Sequence, residues 1–71
     1  MYTQNITING RNFQITLVAE SLAPVEVLQN GNKKLFGFCL KRGNQWINNS
    51  NKIIEDKDVI ISLEQAKKAM Y

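Results

Sequence analysis

Tyr2-Thr3-Gln4-Asn5-Ile6-Thr7-Ile8-Asn9-Gly10-Arg11-Asn12-Phe13-Gln14-Ile15-Thr16-Leu17 is the stretch that decides the fold. Ile6 and Ile8 alternate with Thr7, and Phe13, Ile15 and Leu17 alternate with Gln14 and Thr16. Asn9-Gly10 separates the two runs and suits a two-residue type I′ turn, in which both central residues take positive φ. That turn sets Ile8 opposite Arg11, Ile6 opposite Phe13, Gln4 opposite Ile15 and Tyr2 opposite Leu17. One face then carries Tyr2, Ile6, Ile8, Phe13, Ile15 and Leu17. The other carries Thr3, Asn5, Thr7, Asn12, Gln14 and Thr16. A one-residue slip would mix the two sets, so turn and pattern agree on a sheet with one apolar face.

Downstream, Glu20-Ser21-Leu22-Ala23-Pro24 interrupts the alternation and reads as a loop or a short helical turn, with Pro24 keeping Ala23 out of helical geometry. Val25 and Val27 resume period two, and Asn30-Gly31-Asn32-Lys33 supplies a turn. Phe36, Phe38 and Leu40 answer on a return strand, pairing Val27 with Phe36 and Val25 with Phe38. Gly43-Asn44 fits a type II′ turn that sets Leu40 against Ile47 and Lys41 against Trp46. Residues 48–51 form a polar loop, and residues 53–61 fit either a last hairpin or a buried linker. Ser62-Leu63-Glu64-Gln65 has the form of a capping box, predicting a C-terminal helix that begins there. Leu63, Ala66, Ala69 and Met70 share one side of it, and so short a helix must dock on the sheet to persist.

The chain has 71 residues, enough for a single domain spanning 1–71 with modest burial. Apolar residues make up 44%, and their patterning excludes wholesale disorder. No apolar run approaches the length of a membrane span, and Met1-Tyr2-Thr3-Gln4-Asn5 lacks the features of a signal peptide. The single cysteine, Cys39, fits a reducing compartment, so a cytoplasmic location is expected. The net charge is +3, and the cations gather in the middle: Lys33, Lys34, Lys41, Arg42 and Lys52 occur without an acid between them.

The chemistry of catalysis is sparse. Histidine is absent, which removes the commonest general base and a leading metal ligand. Cys39 has neither an activating base nor partners for a zinc site, and its apolar strand marks it as a small buried hydrophobe. The four glycines form no phosphate-binding loop. Asp56 and Asp58 open like a calcium loop, but Ile60 and Ile61 stand where a ligand and the turn glycine are required. No enzyme, cofactor or metal site is expected.

Lys34-Leu35-Phe36-Gly37-Phe38-Cys39-Leu40-Lys41 resembles the basic, glycine and aromatic consensus on which RNA-recognition and cold-shock domains stack bases. Lys34, Phe36, Gly37 and Phe38 match it, whereas Leu35, Cys39 and Lys41 depart from it. No helix precedes the octamer and no aromatic-histidine strand accompanies it, so no family is assigned. Alternation groups Phe36 and Phe38 with Leu40, Val25 and Val27 as core.

The expected fold is α+β: a small antiparallel β-meander of four to five strands with a C-terminal α-helix packed on one face. Its core should contain Ile6, Ile8, Phe13, Ile15, Leu17, Val25, Val27, Phe36, Phe38, Leu40, Ile47, Leu63 and Ala66. The expected function is that of a non-enzymatic interaction module, binding a protein partner or a second copy of itself. The alternative is weak, mainly electrostatic nucleic-acid binding through the basic 33–52 segment. The candidate partner-binding residues are Lys33, Lys34, Lys41, Arg42, Trp46 and Lys52, with Trp46 as the aromatic anchor if it lies on the open face of the sheet.

Overall fold

Asn9 and Gly10 take φ of 50° and 77°, as a type I′ turn requires, and fold β1 (Tyr2–Ile8) onto β2 (Arg11–Val18). The pairing matches the sequence reading: Ile8 with Arg11, Ile6 with Phe13, Gln4 with Ile15 and Tyr2 with Leu17. This is a computed structural model describing residues 2–71. The remaining strands are β3 (Ser21–Val27), β4 (Lys33–Leu35), β5 (Cys39–Arg42) and β6 (Gln45–Asn48). All six lie in one antiparallel sheet ordered β1-β2-β3-β5-β6, with β4 also paired to β3. The helix α1 (Lys57–Met70) packs on one face, against β1, β2 and β3. The fold is the α+β meander expected, with more strands.

The first departure is Pro24. The segment expected to loop is strand β3, which turns tightly out of β2 through Ala19 and Glu20, with Ala19 at φ 55°. Leu22, Pro24 and Glu26 point under the helix, and Leu22 and Pro24 are fully buried. Val25 and Val27 therefore face the other way and are only half-buried. The segment alternates as the sequence predicts, but its buried set is Leu22, Pro24 and Glu26 and not Val25 and Val27.

The second departure is a β-bulge. β4 pairs Val27 with Lys33 and Val25 with Leu35, not with Phe36 and Phe38 as expected, because the loop ends at Asn32. Phe36 then donates its N–H to the Pro24 carbonyl at 3.2 Å. One residue pair further on the register has slipped by one, since Leu22 opposes Cys39. Gly37 and Phe38 thus share the space opposite Ala23, with Gly37 at φ 84°. An extra residue in one strand reverses the facing of everything after it. Phe36 packs inward against the Phe13 ring at 6.5 Å, whereas Phe38 and Leu40 turn outward. Cys39 and Trp46 turn inward and join the core with Ile8, Phe13, Ile15, Leu22 and Ile54.

Proline and bulge belong together. Pro24 has no N–H to give to the Phe36 carbonyl. The Asn48 side-chain amide takes its place, donating to that oxygen at 3.3 Å. Asn49 Oδ1 accepts from the Phe38 N–H at 3.1 Å, so the β6 loop closes over the bulge.

The third departure is the helix start. Asp56, not Ser62, is the N-cap, and its carboxylate accepts from the backbone of Asp58 and Val59. Ser62 lies inside the helix, fully buried, and its hydroxyl donates to the Val59 carbonyl at 2.7 Å. Residues 53–61 are neither hairpin nor linker. Ile53 bridges Ile47, the Ile54 N–H donates to the Trp46 carbonyl at 2.8 Å, and the helix follows at once. Val59, Ser62, Leu63 and Ala66 are the side chains that α1 buries.

A β-carbon on Gly37 would stand 2.5 Å from Asn49 Oδ1, whereas one on Gly31 (φ 86°) would meet nothing within 4 Å. Gly31→Ala should therefore cost only its backbone strain, about 1 kcal/mol, and Gly37→Ala that strain plus the clash, about 2–3 kcal/mol. Urea midpoints of the two variants check this; equal losses would mean that the bulge is not closed by the Asn49 loop.

Candidate functional site

The bulge sorts the basic segment into unrelated places. Lys33 stands on the face away from the helix, since it pairs with Val27. Lys34 pairs with Glu26 on the helix side, and its Nζ lies 5.4 Å from the Phe36 ring centre. Lys41 also points to the helix side, where Nζ meets Glu64 Oε2 at 2.6 Å. Arg42 lies on the open face beside Phe38 and Leu40. Lys52 is in the exposed loop that follows β6. Trp46 is 3% exposed, and its indole N–H donates to the same Glu64 oxygen at 2.8 Å. The indole is a core group bonded to α1 and is not presented to a partner. Of the candidate residues, only Lys33 and Arg42 share the open face.

That face is where the structure leaves apolar surface uncovered. Leu35 is 74% exposed, Phe38 46% and Leu40 38%. Val25 lies beside Leu35, and Ile47 pairs with Leu40. Two shallow hollows run between these side chains. One of about 90 Å³ is lined by Ala23, Val25, Leu35 and Phe38. The other, of about 270 Å³, is lined by Ser21, Phe38, Leu40, Arg42 and Ile47. The β1–β2 half of the face is mostly polar, with Thr3 bonded to Thr16 and Thr7 to Asn12. No strand residue on this face is acidic; the only charges there are Lys33 and Arg42. Sequence reading placed Phe38 and Leu40 in the core and missed this patch. Its signal was Gly37, because an isolated glycine inside a strand marks a bulge.

The acids collect under the helix side, around Arg11. The guanidinium donates to both Glu26 oxygens at 2.9 and 2.8 Å, to both Asp56 oxygens at 2.8 and 2.9 Å, and to Asp58 at 3.0 Å. Asn9 Nδ2 donates to the other Asp58 oxygen at 2.8 Å. One arginine thus ties the first hairpin to β3 and to the helix cap. Its hydrogen bonds hold the Glu26 and Asp56 carboxyls below their ordinary range. Hydrogen bonds from Lys41 and Trp46 do the same for Glu64. These carboxylates are satisfied by cations and amides, and no group of three or more His, Cys, Asp or Glu among the described residues is arranged to hold a metal. Burial pushes the Cys39 thiol up to about 11, far from a reactive thiolate at neutral pH. No helix among the described residues is long and apolar enough to cross a membrane.

Comparison with known proteins brings no match: no family model, no curated protein and no solved structure corresponds to this chain.

Arg11→Met should destabilise the fold by about 2–3 kcal/mol, because it strands carboxylates that are mostly shielded from water. The wild-type protein should also be acid-labile in a defined direction. Lowered folded-state pKa values contribute stability that is complete above the ordinary values of 4.5 for Glu26 and 3.8 for Asp56 and is lost as pH falls through and below them. Urea melts at pH 7 and pH 3 check both points. The acid-induced loss should be smaller in Arg11→Met, since Glu26 and Asp56 lose the largest cause of their lowered values and Asp56 keeps only its capping bonds.

Proposed function

We propose that this chain is a non-enzymatic interaction module that binds a partner protein through the apolar half of its open sheet face. The observation that carries this reading is the exposure of Leu35, Phe38 and Leu40 on a sheet that covers its other face with a helix. A side chain of this size gains about 1.5–3 kcal/mol on full burial, so a contiguous group left in water is a site for covering. Scattered apolar residues would carry no such argument. These are adjacent, with Val25 beside Leu35 and Ile47 beside Leu40.

The flanking charge defines the partner's chemistry. Lys33 and Arg42 stand at the margins and no acid opposes them on that face. The surface fits a polypeptide segment that offers aliphatic or aromatic side chains with carboxylates to either side. Absent histidine and a deeply protonated Cys39 agree with a binding role, and a single unpaired thiol agrees with a reducing, cytoplasmic setting. Nucleic-acid binding is less favoured. The cations are divided between two faces, two of them stand beside Glu26 and Glu64, and the tryptophan is buried.

Selection of peptides from a random displayed library against the folded chain tests the reading. Binders should combine apolar residues with Asp or Glu, and Phe38→Asp should weaken them about tenfold or more while leaving the circular dichroism unchanged. Binders indifferent to Phe38→Asp, or none at all, would contradict it. Oligonucleotide binding abolished by Lys33→Glu with Arg42→Glu, yet untouched by Phe38→Asp, would move the assignment to nucleic acid.

A further inference from the structure

The two sides of the sheet differ in how their edges are treated. At one side, β6 is met by Ile53 and Ile54, and β4 is only three residues long with two lysines. Those are ordinary protections against strand addition. At the other side lies β1, seven residues long, with no charge, no proline and no bulge. No described residue pairs with its outer edge.

The turn decides which backbone groups β1 offers. A two-residue turn makes Ile8 and Arg11 a doubly hydrogen-bonded pair, and bonded pairs then alternate along the hairpin. Tyr2, Gln4, Ile6 and Ile8 therefore direct their N–H and C=O groups to β2. Thr3, Asn5 and Thr7 direct theirs away from it, into solvent.

We propose that β1 pairs antiparallel with β1 of a second copy, about a two-fold axis at Asn5, so that two sheets become one. In that register Thr3 opposes Thr7 of the second copy and Asn5 opposes its own counterpart. All the outward-directed groups are satisfied at once, forming about six backbone hydrogen bonds. No other antiparallel register uses as many. The side-chain pairs are uncharged: threonine on threonine beside the Asn5 pair on the open face, and Tyr2 against Ile8 and Gln4 against Ile6 on the helix face. The axis stands perpendicular to the sheet, so both helices fall on one side and both apolar halves stay open. A pairing that consumes the unprotected edge of each copy also closes on itself and does not propagate. This surface is separate from the apolar half, so either assignment can fail without the other.

Sedimentation of the full chain from low micromolar to submillimolar concentration reads the result. The wild type should sediment at twice the 8.1 kDa chain mass. Asn5→Pro should be a folded monomer, because the Asn5 N–H points away from β2 and edge strands accept proline. Asn5→Lys and Asn5→Asp should each weaken the dimer about tenfold by opposing like charges on the axis, and their equimolar mixture should restore it. A monomeric wild type at every concentration overturns the proposal. So does a dimer that survives Asn5→Pro, which would place the contact on the apolar half instead.

Discussion

The one-residue slip between β4 and β5 governs what this molecule hides and what it shows. Pro24 leaves the Phe36 carbonyl without a strand donor, Asn48 fills the place from the side, and Gly37 takes the left-handed backbone that lets the chain step over. Without that step, plain alternation would carry Phe36, Phe38 and Leu40 together into the core and leave Cys39 and Trp46 outside. With it, the smaller Cys39 is buried on the helix side, and the large apolar side chains of Phe38 and Leu40 are left partly in water. Core and exposed patch are thus two consequences of a single backbone feature.

The helix side is organised by charge as well as by packing. Arg11 is fixed in place by the Asn9-Gly10 turn, at the hairpin position from which it reaches β3 through Glu26 and the helix cap through Asp56 and Asp58. It also lies 5.1 Å from the Phe13 ring centre, so its charge rests on an aromatic surface already in the core. At the opposite end of the sheet, Glu64 accepts from both Lys41 and Trp46. Together these groups register α1 against the first hairpin and the last one. They also leave the face away from the helix with cations and no acid.

The first hairpin was legible residue by residue, because a turn with demanding backbone geometry and a strict alternation specify the same register. The Gly43-Asn44 hairpin was legible for the same reason, and its pairs Leu40–Ile47 and Lys41–Trp46 stand as read. Between them, two signals conflicted with local rules. Proline argued against a strand at residue 24, yet tertiary pairing on both sides holds it there, with a side-chain amide replacing the lost donor. The glycine at position 37 was visible but was read only as part of an aromatic cluster. The helix start was misplaced because Ser62 satisfies a capping pattern, whereas Asp56 is favoured by a long-range partner, Arg11, that no local window contains. The apolar face could not be read because it exists only after the bulge has reversed the facing of its residues.

Thiol accessibility tests the reversal most directly. Native Cys39 and a Phe38→Cys chain carrying Cys39→Ser differ by one position, and the slip places them on opposite faces. In the folded protein at mildly alkaline pH, Cys39 should react with an aromatic disulfide reagent only as fast as the chain unfolds, and the introduced thiol at position 38 should react at the rate of a free peptide. Rapid labelling of native Cys39 together with protection at position 38 would mean uninterrupted alternation, and the account of the core and of the open face would both be wrong.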